Sequence, residues 1–352
     1  MTAAAEPRPG LRDMEPYTSP HPEVGVRLNA NESPHPLPRA FFDELAEAIR
    51  DVPLHRYPDG DLGMLRGSLA SAMLHPVEGI WAANGSNEIM TQLLQAYGGH
   101  GRRAVTFEPT YLLHSRLSWL TGTDLTRLAL PKDFVLGEAQ VAAATDVSPD
   151  VVFVCSPNNP TGNAQPLSQI VALADALPRS LVIVDEAYGE FAPAGSAQAL
   201  IASHPNIAVV RTFSKAFALA GARIGYVLTT PEVVGDLRRV RLPYHLSALT
   251  QTAGIVALRH RPEASGLIGS IRVQRDRIVR ELRMLGLDVY PTDANFVLFV
   301  TPDAKRVWQG LLDRDVLIRD MTAVVPDALR VTAGAEHETD RFLSAMKEVL
   351  AT

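Results

Sequence analysis

Between Arg102 and Tyr226 the chain alternates short apolar runs with helix-length segments, and this pattern restricts the fold more than any other feature. The runs are Ala104 to Phe107, Val151 to Cys155, Leu181 to Asp185, Ile207 to Arg211 and Ile224 to Leu228. Two of them, Val151-Val152-Phe153-Val154-Cys155 and Leu181-Val182-Ile183-Val184, are unbroken apolar stretches. A strand with one wet face alternates apolar and polar residues, so an unbroken run suits a strand covered on both faces. Strands joined through helices form a mostly parallel sheet between helical layers. The expected fold class is α/β.

Beyond this region helical periodicity takes over, from Ala248 to His260 and in an Arg-rich segment from about Pro262 to Leu285 that could link two domains. The tail changes character again. Strand candidates Asn295 to Val300, Val316 to Arg319 and Leu329 to Thr332 are interleaved with helices near Asp303 to Asp313 and Glu336 to Leu350, a smaller α+β unit. The Pro-rich stretch Ser33 to Pro38 is unfit for a regular helix and reads as an extended arm. The expected division is a large domain at 48–270, with 1–47 and 271–352 forming an amino-terminal arm and a small carboxy-terminal domain. No internal repeat is present.

A length of 352 residues fits two domains, and 46% hydrophobic residues suffice for a core. The formal net charge is −6 and no long Lys/Arg run occurs, which argues against a nucleic-acid partner. A single cysteine, Cys155, can form neither an internal disulfide nor a multi-Cys metal site, and fits a reducing compartment. The ten histidines form no metal-binding cluster, so no metal is expected. Met1 to Asp13 lacks the apolar core of a secretory signal, and no stretch approaches the roughly 18 apolar residues of a membrane span. The expectation is a soluble cytoplasmic protein.

Four segments carry chemistry. In Arg211-Thr212-Phe213-Ser214-Lys215, followed by Arg223, a strand ends in hydroxyls, an amine and a second cation. That combination suits an amine able to condense with a phosphorylated aldehyde, although a solvated surface lysine has the same local sequence. The run ending in Asp185-Glu186-Ala187-Tyr188 puts a carboxylate at the carboxyl end of a strand, where open α/β sheets bind ligands. Such a group could hold a pyridinium nitrogen protonated, or could cap a helix. Ser156-Pro157-Asn158-Asn159-Pro160-Thr161-Gly162 is a turn whose amides can donate to a phenolate or carboxylate. Asn84-Gly85-Ser86-Asn87-Glu88 precedes an apolar-periodic helix, whose amino terminus forms an anion site.

Together, and with Leu28-Asn29-Ala30-Asn31-Glu32, Arg56-Tyr57-Pro58-Asp59 and Leu329-Arg330-Val331-Thr332-Ala333-Gly334, these motifs resemble the fold type I, aspartate-aminotransferase-like family of pyridoxal-phosphate enzymes, and within it the histidinol-phosphate aminotransferases. The resemblance spans nearly the whole chain and implies pyridoxal 5′-phosphate as cofactor. By it, Lys215 would anchor the cofactor covalently and shuttle a proton, and Asp185 would pair with the ring nitrogen. Tyr188 and Asn159 would bond the ring oxygen, and Tyr111 would stack on the ring. Gly85, Ser86, Asn87, Thr212, Ser214 and Arg223 would cradle the phosphate. Tyr57 would reach that phosphate from a neighbouring subunit, implying a homodimer with a shared active site. Arg330, with Arg319 as a second anion contact, would grip substrate, and Tyr17, Asn31 and Asn159 would complete the pocket.

The implied reaction is transamination of L-histidinol phosphate with 2-oxoglutarate, giving imidazole-acetol phosphate and glutamate in histidine biosynthesis. A guanidinium fork accepts carboxylate and phosphate alike. The alternatives are an aromatic amino-acid aminotransferase, a threonine-phosphate decarboxylase, a pyridoxal-phosphate-binding regulator and a degenerate structural homologue. A regulator needs a basic DNA-binding module, and the residues before Leu28 are too few to supply one. The chain departs from the family after Tyr111, where Leu112-Leu113-His114 replaces a small or polar residue followed by Met-Tyr. This could reshape the wall beside the cofactor. His114 itself is expected to be an ordinary packed or partly exposed histidine rather than a catalytic base.

Overall fold

The structure, a computed structural model, describes residues 5–16, 22–193 and 195–351. Thirteen strands occur among them. They are β1 (Val26–Arg27), β2 (Ile80–Ala83), β3 (Arg103–Glu108), β4 (Asp124–Ala129), β5 (Val151–Cys155), β6 (Leu181–Asp185), β7 (Ile207–Thr212), β8 (Gly225–Leu228), β9 (Asp288–Val289), β10 (Phe296–Val300), β11 (Val316–Leu317), β12 (Arg319–Asp320) and β13 (Ala328–Thr332). The helices are α1 (Arg39–Arg50), α2 (Gly63–Met73), α3 (Ser86–Tyr97), α4 (Leu112–Thr121), α5 (Glu138–Val147), α6 (Leu167–Ala176), α7 (Pro231–Val240), α8 (Ala248–Arg259), α9 (Arg261–Met284), α10 (Ala304–Leu312) and α11 (Glu336–Leu350).

The seven-stranded sheet has the order β2-β8-β7-β6-β5-β3-β4. β5 and β6 are buried at every position, and their parallel register sets Cys155 beside Asp185. The unbroken apolar runs are therefore strands covered on both faces. Ile183 is fully buried, and shortening it to Ala would cost about 2–5 kcal/mol through the lost contacts and the cavity left behind.

β8 runs antiparallel to both of its neighbours, β7 and β2. The chain passes from β7 to β8 with only a 3-10 turn between them, and without a crossover helix a parallel return is out of reach. β2 and β4 have no counterpart among the apolar runs: β2 is four residues long, and β4 is a partly exposed edge strand.

The smaller sheet, β12-β13-β10-β9, is antiparallel. The expected single strand from Val316 to Arg319 is instead broken at Ile318. β11 pairs in parallel with β1, whereas β12 joins β13. Ile318 is 1% exposed, so the break buries an apolar side chain while the two halves serve different sheets. Through the pairing of β1 with β11, the segment after Gly25 is tied to the carboxy-terminal part of the chain.

α9 has 24 residues and buries Ile271, Arg275, Ile278 and Leu282, a stripe at alternating four- and three-residue spacing. The positions 47/48 and 270/271 fall inside α1 and α9, which are continuous helices. No helix among the described residues is long and apolar enough to cross a membrane, and those residues contain no cluster able to hold a metal ion.

Candidate active site

The carboxyl ends of β5, β6 and β7 converge with the amino end of α3, the loop between β7 and β8, and the segment 29–31. Lys215 lies just past β7, with Nζ donating to the Ala30 carbonyl at 3.0 Å. Its pKa is lowered to about 8, first by burial and then by the guanidiniums of Arg330 and Arg223, with Glu32 pulling the other way. An amine so placed is neutral for an appreciable fraction of the time near neutral pH, as a nucleophile requires.

Asp185 ends β6 and is 2% exposed. One carboxylate oxygen accepts from the Ala187 amide at 3.1 Å, and the other lies 3.2 Å from His114 Nε2. Asp185 thus closes a turn rather than capping a helix, and it presents a buried carboxylate at the end of β6. His114 is fully buried, stacked on Phe153 at 4.7 Å and edge-on to Tyr111 at 5.6 Å. It is packed, as expected, and is also the partner of Asp185, which the sequence reading missed. The available signal was spacing: residue 114 follows Tyr111 by three positions at the start of α4, so both face the same way.

Tyr188 is 5% exposed, and burial pushes its phenol up to about 12. Asn31 Nδ2 donates to the Tyr188 hydroxyl at 3.0 Å and Asn159 Nδ2 donates to it at 3.5 Å. Tyr188 accepts in both contacts, so its own O–H remains to donate to a bound oxygen. Arg330, 7% exposed on β13, donates to Asn159 Oδ1 and, at 3.0 Å, to the Asn29 carbonyl. Asn31 is held in turn by Thr332 and Asn295. Arg319 on β12 lies directly opposite Arg330 in an antiparallel pair, which places the two side chains on one face of the sheet.

The third part of the site is a cradle. Gly85 precedes α3 with φ +81°, and a Cβ there would come within 2.5 Å of the Arg223 guanidinium. Gly225 packs against the same turn, where a Cβ would meet the Ser86 nitrogen at 2.2 Å. Arg223 Nη1 donates to Ser214 Oγ at 3.2 Å, and Thr212 Oγ1 donates to the same oxygen at 3.0 Å. Backbone amides at a helix amino terminus, a guanidinium and hydroxyls in one concavity are the donor set of a phosphate. Tyr111 Oη donates to Asn87 Oδ1 at 3.5 Å, linking the cradle to the wall that contains His114.

Two expected residues stand apart. Tyr57 is 80% exposed, its ring stacked on Tyr244 at 4.6 Å, outside the hydrogen-bonded set around Lys215. Tyr17 lies outside the described residues. Besides His114, the sequence reading missed the carbonyls of Asn29 and Ala30 as acceptors, because a backbone oxygen leaves no trace in the residue type.

An amine of lowered pKa, a buried carboxylate, a hydroxyl and a phosphate cradle in one cleft fit pyridoxal 5′-phosphate. Comparison with known proteins agrees. Residues 23–347 match the family model described as aminotransferase class I and II. The chain is 47% identical to histidinol-phosphate aminotransferase of Mycolicibacterium smegmatis, over 98% of this chain and 93% of that protein. It is also 47% identical to the enzyme of that name from Frankia casuarinae, over 97% and 90%. The crystal structure of histidinol-phosphate aminotransferase from Sinorhizobium meliloti in complex with pyridoxal-5′-phosphate superimposes with a TM-score of 0.90 at 27% identity, covering 99% of both chains. The chain belongs to the class I and II aminotransferase family.

Proposed function

We propose that this chain transfers the amino group between L-histidinol phosphate and 2-oxoglutarate, giving imidazole-acetol phosphate and glutamate, as a step of histidine biosynthesis. The observation that carries the reading is the placement of Arg319 opposite Arg330, with Arg330 tied to Asn159 and its charge acting on Lys215. Like charges directly opposite each other on neighbouring strands repel, and an anion between them relieves the repulsion. A phosphate and a carboxylate fit the same pair of forks, which a site serving both substrates requires. The full-length relatives of that name support the same reading.

The cofactor is pyridoxal 5′-phosphate, which supplies an electron sink for the pair of electrons released when the substrate Cα loses a proton. Gly85, Ser86, Asn87, Thr212, Ser214 and Arg223 would hold its phosphate, and Tyr111 would cover the ring. Asp185, oriented by His114, would pair with the ring nitrogen, and Tyr188 and Asn159 would bond the ring oxygen. Lys215 would anchor the cofactor through its amine and would serve as the base that takes and returns the substrate's Cα proton. Its lowered pKa suits both roles. Arg330 and Arg319 orient the substrate anion, and Asn31 lines the same pocket.

The chain acts as a homodimer in the cytoplasm, with Tyr57 completing the partner's phosphate site. In support, Tyr57 and Tyr244 are exposed and stacked on each other, and Leu54, Leu242 and Met64 at the start of α2 are exposed apolar side chains as well, which suits contact with a second copy. The proposed division is a large domain at 48–270 and a second unit of 1–47 and 271–352, joined to it through the continuous helices α1 and α9.

A half-reaction tests the substrate. Adding L-histidinol phosphate to the loaded enzyme should bleach the absorbance of the lysine-linked cofactor faster than phenylalanine does. The reverse order would make the enzyme an aromatic aminotransferase, and release of carbon dioxide from threonine phosphate would make it a decarboxylase. Mixing inactive Lys215→Ala and Tyr57→Phe chains tests the shared site. Partial recovery of activity is expected, and a monomer by light scattering with full activity would refute the dimer.

A further inference from the structure

Two amides reach the Tyr188 hydroxyl, and the shorter contact, at 3.0 Å, comes from Asn31 rather than from Asn159 at 3.5 Å. Asn31 is 1% exposed and has φ +54°, a left-handed conformation that asparagine and aspartate adopt more readily than most residues. Three further bonds fix it. Its backbone amide donates to Thr332 Oγ1 at 3.0 Å, its carbonyl accepts from Asn295 Nδ2 at 3.2 Å, and its Oδ1 accepts from Thr332 Oγ1 at 3.1 Å. The last of these decides which end of the carboxamide faces Tyr188. With the carboxamide turned over, the Thr332 hydroxyl would lose its acceptor and Asn31 Oδ1 would take the Tyr188 proton. Asn159 is oriented in the same sense, because its Oδ1 accepts from Arg330.

The ring of Tyr188 does not need Asn31 for its place, since it packs edge-on against Phe296 at 5.0 Å and is 5% exposed. What the amide fixes is the direction of the O–H. Two donors occupy the acceptor sites of the oxygen, so its proton is left to the remaining direction, and the incoming bonds strengthen the one it gives. Burial raises the phenol to about 12, so it keeps its proton well above neutral pH. We propose that Asn31 is a positioning residue for Tyr188, turning the phenol proton toward the ring oxygen of the cofactor and so setting the proton affinity of the lysine-linked cofactor. A bond donated to that oxygen stabilises its anionic form and lowers the proton affinity. Thr332 ends β13 and Asn295 directly precedes β10, so the small sheet acts on the cofactor through this side chain. The inference rests on the place proposed above for Tyr188, and not on which amino donor the enzyme accepts.

The test is a pH titration of the visible absorbance of the loaded enzyme, with no substrate present. Tyr188→Phe should raise the midpoint by roughly one to two units, the worth of a hydrogen bond to a charged group. Asn31→Gly, which fits the left-handed backbone, should raise it by about half a unit to one unit, the worth of a neutral hydrogen bond. Asn31→Asp keeps the size and the backbone but puts an acceptor where the donor was; it captures the phenol proton and should raise the midpoint further. In the Tyr188→Phe background Asn31→Gly should add nothing, because its effect passes through the phenol. Unmoved midpoints in both Asn31 variants while Tyr188→Phe shifts, or an equal shift with and without the phenol, would overturn the inference. An unmoved midpoint in Tyr188→Phe itself would overturn the place of Tyr188, and the role of Asn31 with it. If Asn31→Gly melts at a lower temperature, the same criteria apply to Asn31→Asp, and a lowered melting temperature with a wild-type midpoint makes Asn31 structural only and also overturns the inference.

Discussion

The phosphate cradle at the amino end of α3 and the network centred on Arg330 are built from different materials. The cradle is mostly backbone: Gly85 and Gly225 are small because the strand, the turn and Arg223 approach too closely for a Cβ. The network is mostly side chain, and it joins residues 29–31, 159, 188, 295, 330 and 332, some of them 301 positions apart. A backbone-built site tolerates most substitutions and fails where a side chain is added. A site made of side chains responds to nearly every change within it. The first suits a cofactor that never varies, and the second suits substrates that must alternate.

Lys215 belongs to both regions, so Lys215→Ala should remove turnover and covalent cofactor capture together. Retained transamination would break the assignment. Arg330→Gln should separate the two regions. Losing one partner of a buried, charge-assisted network costs about 2–5 kcal/mol, or roughly 30- to 5,000-fold in kcat/KM for both substrates, while cofactor affinity stays within about two-fold by titration. Gly85→Ala should do the opposite. Strain at positive φ costs about 1–3 kcal/mol, so cofactor affinity should fall by roughly ten- to a hundred-fold, with the donor KM little changed. If both variants damage both functions equally, the two regions are not independent.

The next effect is a pH dependence. With the Lys215 pKa lowered to about 8, the cofactor-free protein should capture cofactor at a rate that rises through pH 8 and then levels off. The sign for stability is the same. A lysine whose pKa is lower in the folded state costs stability while both states hold the proton, and the cost is relieved as pH rises from about 8 toward the unfolded value near 10.4. Urea unfolding at stepped pH, with Lys215→Met as the control, isolates this contribution. The smallest effect on chemistry should come from His114→Phe, which keeps the stacking on Phe153 but removes the partner of Asp185. A stability loss of about 1–3 kcal/mol is expected for a buried carboxylate left with one contact fewer, readable in denaturant midpoints, and a wild-type midpoint would show that the contact carries no weight.

The apolar runs at Val151 and Leu181 announced buried parallel strands because a strand covered on both faces has no polar position to spare. Helix α11 was legible end to end from Glu336 to Leu350 because its periodicity is local. Strand β4 and the reversed β8 were not legible, since an edge position and a chain direction are properties of neighbours rather than of residue type. Lys215, Asp185, Asn159 and Gly85 were visible because each stands in a short motif at an element end. Pairing Arg319 with Arg330, and His114 with Asp185, needed a sheet register and a helix face.

What the sequence by itself determined was therefore the α/β class, where the buried strands lie along the chain and the residue types of the cradle, all set by interactions within a few positions along the chain. Only the tertiary structure decided that Ala30 faces Lys215 and that Asn31 and Asn159 share one hydroxyl. Those contacts join segments far apart in the chain, and their geometry follows from how the sheets and α9 pack, which no local pattern encodes.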